Sequence, residues 1–223
     1  MERFLFDNLP KTYREDTILE SLHFPQDADA EDLEEARRYI HEAETIANPK
    51  VLFSIVPVQE RQNDFVIIGG VRIDCALMAE NFRHVHRVFP YVCTCGQEVE
   101  AWSATLKDPL LTYWADRIKL FYVGVAQSYL FRYVREHYVP SGYLSRMNPG
   151  SLSQWPLSQQ EVLFSLIGGV KESIGVTLTD SFLMLPSKST SGILFSSDTA
   201  YENCQLCPMQ DCPGRRAPYQ NNT

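Results

Sequence analysis

The chain has 223 residues, 44% of them apolar, so it can bury a substantial core, and its length favours one domain or at most two small ones. Lys and Arg number 20 against 28 Asp and Glu, and the resulting formal charge of -8 repels phosphate backbones and argues against nucleic acid as a partner. The amino-terminal stretch reads as no signal peptide, and the most apolar run, Leu120 to Phe131, is too short for a membrane span, so the expectation is a soluble cytoplasmic protein.

Residues 1 to 26 lack clear periodicity and read as a short strand or irregular arm. From Asp29 the spacing of Leu33, Ala36, Ile40 and Ala43 predicts an amphipathic helix that stops at Asn48-Pro49. Val51 to Val58 and Phe65 to Ile73 read as paired strands around a polar turn, with a bulge or close backbone approach at Gly69-Gly70. Cys75 to Arg87 reads as a helix and Val88 to Cys95 as a strand. Gln97 to Lys107 and Tyr113 to Tyr138 follow as helices, the second apolar nearly all round and therefore central.

Val139 to Leu157 has no period and three prolines, and reads as a loop, a length that is usually functional or disordered. Ser158 and Glu161 have capping-box spacing ahead of a helix face made by Leu163, Leu166, Ile167, Val170 and Ile174, with Gly175 placed to end it. Thr177 to Leu185 then alternates as a strand, SKSTSG reads as a loop and Ile193 to Phe195 as a final strand. The alternation, and connections that do not recur as β-α-β units, predict an α+β fold built on an antiparallel twisted sheet with flanking helices. The expected division is residues 1 to 203 as one α+β domain and 204 to 223 as a cysteine-rich tail.

An R-x-x-P-G turn at Arg146 to Gly150 is followed by the capped helix closing in Ile-Gly, a T-D-S-F segment, a Pro, a Ser-Gly and Tyr201. In combination, this order resembles the activation domain of cobalamin-dependent methionine synthase, best over residues 140 to 203. The resemblance implies a domain that closes over a corrinoid and supplies the methyl group of S-adenosylmethionine when the cobalt has fallen to Co(II). It places a ligand site at Arg146, Pro149, Gly150, Ser151 and Tyr201. Arg146 offers five rigid donors for a carboxylate, and the Pro149-Gly150 turn opens main-chain groups to a ligand. Tyr201 or Trp155 would lie against the adenine or the sulfonium.

Two positions depart from the family pattern: Ser151 stands where the family has Tyr, and Gln127 where it has an acidic residue. The D-x-H-x-x-G corrinoid-binding pattern is absent, so cobalamin is expected on a partner, a corrinoid-binding methyltransferase protein served by a reductase or other electron donor. That makes the chain an accessory factor for reductive reactivation.

The six cysteines point to reduced thiols or metal ligands more than to disulfides. Cys204, Cys207 and Cys212 have the C-x2-C-x4-C spacing of a partial site for zinc or an iron-sulfur cluster, and metal is expected to order the tail. Cys75, Cys93 and Cys95 are the candidates for a fourth ligand, the last two sharing a face if their segment is a strand. The alternative function is accordingly an iron-sulfur or zinc docking and redox module for a corrinoid protein. The five scattered histidines receive no role.

Overall fold

The structure, a computed structural model, describes residues 2–10, 13–24, 28–209, 211–212 and 215–220. Its elements in chain order are β1 (Glu2–Phe6), α1 (Glu15–Ser21), α2 (Ala30–Ile46), β2 (Lys50–Arg61), β3 (Phe65–Ile68), β4 (Val71–Asp74), α3 (Ala76–Asn81), β5 (Arg87–Thr94) and α4 (Gln97–Ser103). There follow α5 (Pro109–Tyr138), β6 (Tyr143–Met147), α6 (Gln160–Ile167), α7 (Val170–Ile174), β7 (Thr177–Leu178), β8 (Met184–Leu185) and β9 (Ser189–Ser197).

The main sheet runs β4-β3-β2-β5-β9-β6, with β1 paired to β2 as well, and every strand pairing in it is antiparallel. The fold is thus α+β, as expected. Helices cover both faces. On one, Met78, Leu163, Leu166, Ile167 and Ile174 pack against Leu52, Val56, Val88, Val92, Ile193 and Phe195. On the other, Ile18, Ile40, Ile118, Tyr122 and Leu130 pack against Val51, Phe53, Phe89, Tyr91, Cys93 and Leu194. Because successive side chains of a strand point to opposite faces, β5 sends Val88 and Val92 into one core and Phe89, Tyr91 and Cys93 into the other.

Local chemistry explains the helices that the sequence predicts well. Asp29 caps α2 by accepting from the Glu31 amide at 3.0 Å. Asp108 accepts from the amides of Leu110 and Leu111 at 2.8 and 3.2 Å, and Pro109 fills the first helical position of α5, where a missing N–H costs nothing. This helix of 30 residues is about 45 Å long and backs most of one sheet face. No helix among the described residues is long and apolar enough to cross a membrane.

Several expectations are corrected. The arm before residue 26 holds a helix, α1, as well as a strand, and the helix expected at Cys75 to Arg87 extends only over Ala76–Asn81. The expected loop from Val139 contains β6, which pairs with β9 in register from Tyr143↔Ser197 to Met147↔Ile193. Its sequence shows no apolar alternation because it is an edge strand carrying Ser145 and Arg146 on its two faces. The Ser158 capping box does not form: a 3-10 turn at Leu157–Gln159 leads into α6 with no side-chain cap. The helix face beyond it is split at Gly168-Gly169, both with positive φ, into α6 and α7. Thr177 to Leu185 is a small hairpin of β7 and β8 and not one strand. Its turn closes through Phe182 N–H to Thr179 O at 2.8 Å and Leu183 N–H to Thr179 Oγ1 at 3.1 Å. The SKSTSG loop already belongs to β9 from Ser189 onward.

Candidate functional site

The R-x-x-P-G segment lies at the carboxyl end of edge strand β6, where the backbone leaves the sheet and turns. Arg146 is opposite Leu194 of β9 and shares its face of the sheet, the one covered by α5. Its guanidinium lies over the Phe131 ring, 4.9 Å from the centroid, and the residue is only 6% exposed. Nε is buried without a hydrogen-bond partner among the described residues, 3.5 Å from Oε2 of Glu202. A buried guanidinium needs a counter-charge, and Glu202 provides one at a distance longer than a good charge-assisted hydrogen bond. The same carboxylate oxygen accepts from Arg216 Nε at 3.2 Å.

The turn is held from beneath by Asn148. Its side-chain amide donates to Ser191 O at 2.6 Å and to the Tyr91 hydroxyl at 3.1 Å. Burial pushes the Tyr91 phenol up, so it stays protonated, with Gln127 of α5 among the polar groups near it. The resemblance sets Gln127 in the position of a family acid, and here that position faces a buried phenol. Gly150 has φ +78° and donates its N–H to Trp155 O at 2.8 Å, and a β-carbon there would sit 3.0 Å from Leu157 Cδ1. Pro149 is buried, while Gly150 and Ser151 are exposed.

Tyr201 is half-buried on the opposite face of the sheet, its ring 6.1 Å from Phe195 and its hydroxyl donating to Asn203 Oδ1 at 3.0 Å. Its backbone N–H donates to Ser145 Oγ at 3.1 Å, and burial pushes its phenol up. The expected set is therefore brought to one sheet edge, but Arg146 and Tyr201 point to different sides of it. Tyr201 borders a cleft of about 880 Å³ lined also by Asn81, Arg83, His84, Ser197 and Asp198; Arg146 and the Pro149-Gly150 turn do not line it. Trp155 is 2% exposed and packed in the α6-side core, so it offers no free face to an adenine.

Among the described residues no group of three or more His, Cys, Asp or Glu is arranged to hold a metal. Arg215 occupies the centre of the tail instead, donating to the carbonyls of Cys204 at 2.8 Å, Cys207 at 3.0 Å, Ala217 at 3.1 Å and Met209. Cys93 and Cys95 do share a face, but it is the α5-side core, where burial pushes both thiols up, Cys95 to about 12. Cys75 caps α3 by accepting from the Met78 amide. None of these three thiols extends the tail cysteines into a metal site.

Asn148, Tyr91, Gly192 and Glu202 are the site residues that sequence reasoning missed. Gly192 inside β9 carried the one available signal, since a glycine within a strand marks close backbone approach. Glu202 carried none, because its relation to Arg146 is a parallel bridge between segments 56 positions apart.

Residues 141–206 match the family described as vitamin B12 dependent methionine synthase, activation domain. A solved structure titled as the MetH reactivation domain bound to AdoHcy aligns with a TM-score of 0.68 at 16% identity, covering 91% of this chain and 81% of that one. At that identity the likeness is one of fold. No curated protein matches the chain in sequence. The chain thus resembles the activation domain, over the segment that carries β6, the turn and Tyr201.

Proposed function

We propose that the protein binds S-adenosylmethionine at the β6 edge and acts as an accessory factor in reductive reactivation of a corrinoid methyltransferase, the corrinoid being carried by a partner protein. The observation that carries this reading is Arg146. A guanidinium this buried, with an unsatisfied Nε, near the start of the segment matched to the activation-domain family, is suited to a ligand carboxylate. When bound, the ligand would supply a methyl group to the partner's cobalt.

This chain's residues then have distinct tasks. Arg146 binds the carboxylate, with Phe131 holding the guanidinium plane. Asn148 fixes the turn through its bonds to Ser191 and Tyr91, so that the exposed backbone at Gly150 is presented in one conformation. Tyr201 supplies aromatic surface on the other side of the edge. No side chain here serves as a nucleophile; the protein contributes position and orientation.

The test is isothermal calorimetry with S-adenosylmethionine on the wild type and Arg146→Ala. Removing one partner of a desolvated charge pair costs about 2 to 5 kcal/mol, so the variant is expected to bind at least tenfold more weakly. Absence of binding to the wild type, with and without a corrinoid protein, would overturn the ligand role and leave a docking module.

A further inference from the structure

Arg146 already has a carboxylate beside it, and its source is the chain itself. Glu202 pairs with Arg146 twice over: its backbone forms the one parallel bridge to the β6 edge among the described residues, and its Oε2 lies 3.5 Å from Arg146 Nε. We propose that Glu202 is an internal stand-in for a ligand carboxylate, so that filling the site requires the Glu202 segment to leave the β6 edge. This rests on the reading of Arg146 as a carboxylate-binding group.

The geometry separates a stand-in from a permanent structural pair. Arginine–carboxylate forks close to about 2.7–2.9 Å with two parallel hydrogen bonds. The Arg146–Glu202 contact is longer and leaves Nε without a hydrogen bond. Glu202 is also divided between two cations, with Arg216 Nε at 3.2 Å, and its side chain is 28% exposed, so water and solutes reach the carboxylate from one side. The pair neutralises a buried charge, but it does so with a partner that a better-fitting carboxylate would outcompete.

The segment that carries Glu202 has few ties to the sheet. From Tyr201 to Leu206 these are the Tyr201 N–H bond to Ser145 Oγ, the Tyr201 ring against Phe195 and the Arg146–Glu202 pairing itself, and the other bonds run within the segment or to the tail residues Arg215, Arg216 and Gln220. A ligand spanning from Arg146 to the Tyr201 side of the edge needs the strip of β6 that this segment covers. The closed form of the segment then competes with the ligand, and apparent affinity is the intrinsic affinity multiplied by the fraction of chains that are open.

Calorimetry on the full chain tests this with two probes: S-adenosylhomocysteine, which bears the amino-acid carboxylate, and 5′-methylthioadenosine, which lacks it. Glu202→Gln is expected to raise affinity for the first at least fivefold and leave the second unchanged. Glu202→Asp, which keeps the charge but shortens its reach, is expected to raise the first by less, and it serves if the glutamine variant does not fold. Hydrogen exchange at residues 202–206 is expected to quicken when the wild type binds S-adenosylhomocysteine. Wild-type binding with equal or weaker binding by both variants overturns this inference alone, as does an equal gain for both probes. No binding of S-adenosylhomocysteine to any form overturns the inference together with the ligand reading beneath it.

Discussion

The side-chain amide of Asn148 occupies the space that a β-carbon on Gly192 would fill: Nδ2 lies 2.6 Å from that position, the Met147 carbonyl 2.5 Å and the Tyr91 hydroxyl 3.1 Å. The turn after β6 is seated against a gap in β9, and the gap exists because residue 192 has no side chain. The Ser-Gly step of the sequence and the R-x-x-P-G turn are thus two halves of one contact.

Gly192→Ala is therefore expected to displace the turn. Overpacking of this kind costs about 1 to 3 kcal/mol, read from urea unfolding. The two helix layers share the strands of one sheet, so the core of residues 1 to 203 is expected to unfold in a single transition in both proteins. Ligand affinity should fall in the same variant, since Asn148 can no longer donate to both Ser191 and Tyr91. A variant with wild-type stability and affinity would show that the close approach is not needed.

Stability is expected to drop on the acid side through Glu100. Burial pushes its carboxyl up, but the Lys119 ammonium at 3.1 Å and the amide and hydroxyl of Ser187 outweigh that and hold it below its ordinary value of 4.5. The folded chain favours the charged form, so the contribution is full above the ordinary value and disappears as pH falls through the lowered one. Thermal melts should show Glu100→Gln less stable than wild type at neutral pH, with the difference closing below pH 4.5. A difference that stays constant across that range would refute the assignment.

In the tail, Arg215 ties together the backbone around the cysteines. Its guanidinium gathers the carbonyls of Cys204, Cys207 and Ala217. Arg215→Ala is expected to make the segment after Tyr201 sensitive to protease, whereas treating the wild type with a chelator should leave it protected. Cleavage after chelation, together with metal in the purified protein, would assign Cys204, Cys207 and Cys212 as ligands.

Much of the frame is written locally. Asp29 announces α2, because a cap needs only residues within one turn, and the apolar run from Tyr113 announces α5, although the helix starts earlier, at Pro109 behind its cap Asp108. The apolar runs of β2 and β5, buried on both faces, announce central strands, and the R-x-x-P-G turn announces a place where backbone is exposed. What sequence alone could not reach is which face each site residue takes. A strand's side chains alternate, so the facing of Arg146 depends on its register against Leu194, a partner 48 positions away. Only the tertiary structure turns Arg146 toward α5 and Tyr201 away from it, brings Glu202 beside the guanidinium, and gathers the tail on Arg215. Each of those pairings is set by distant backbone meeting at a sheet edge or a chain end, where no local period records the partner.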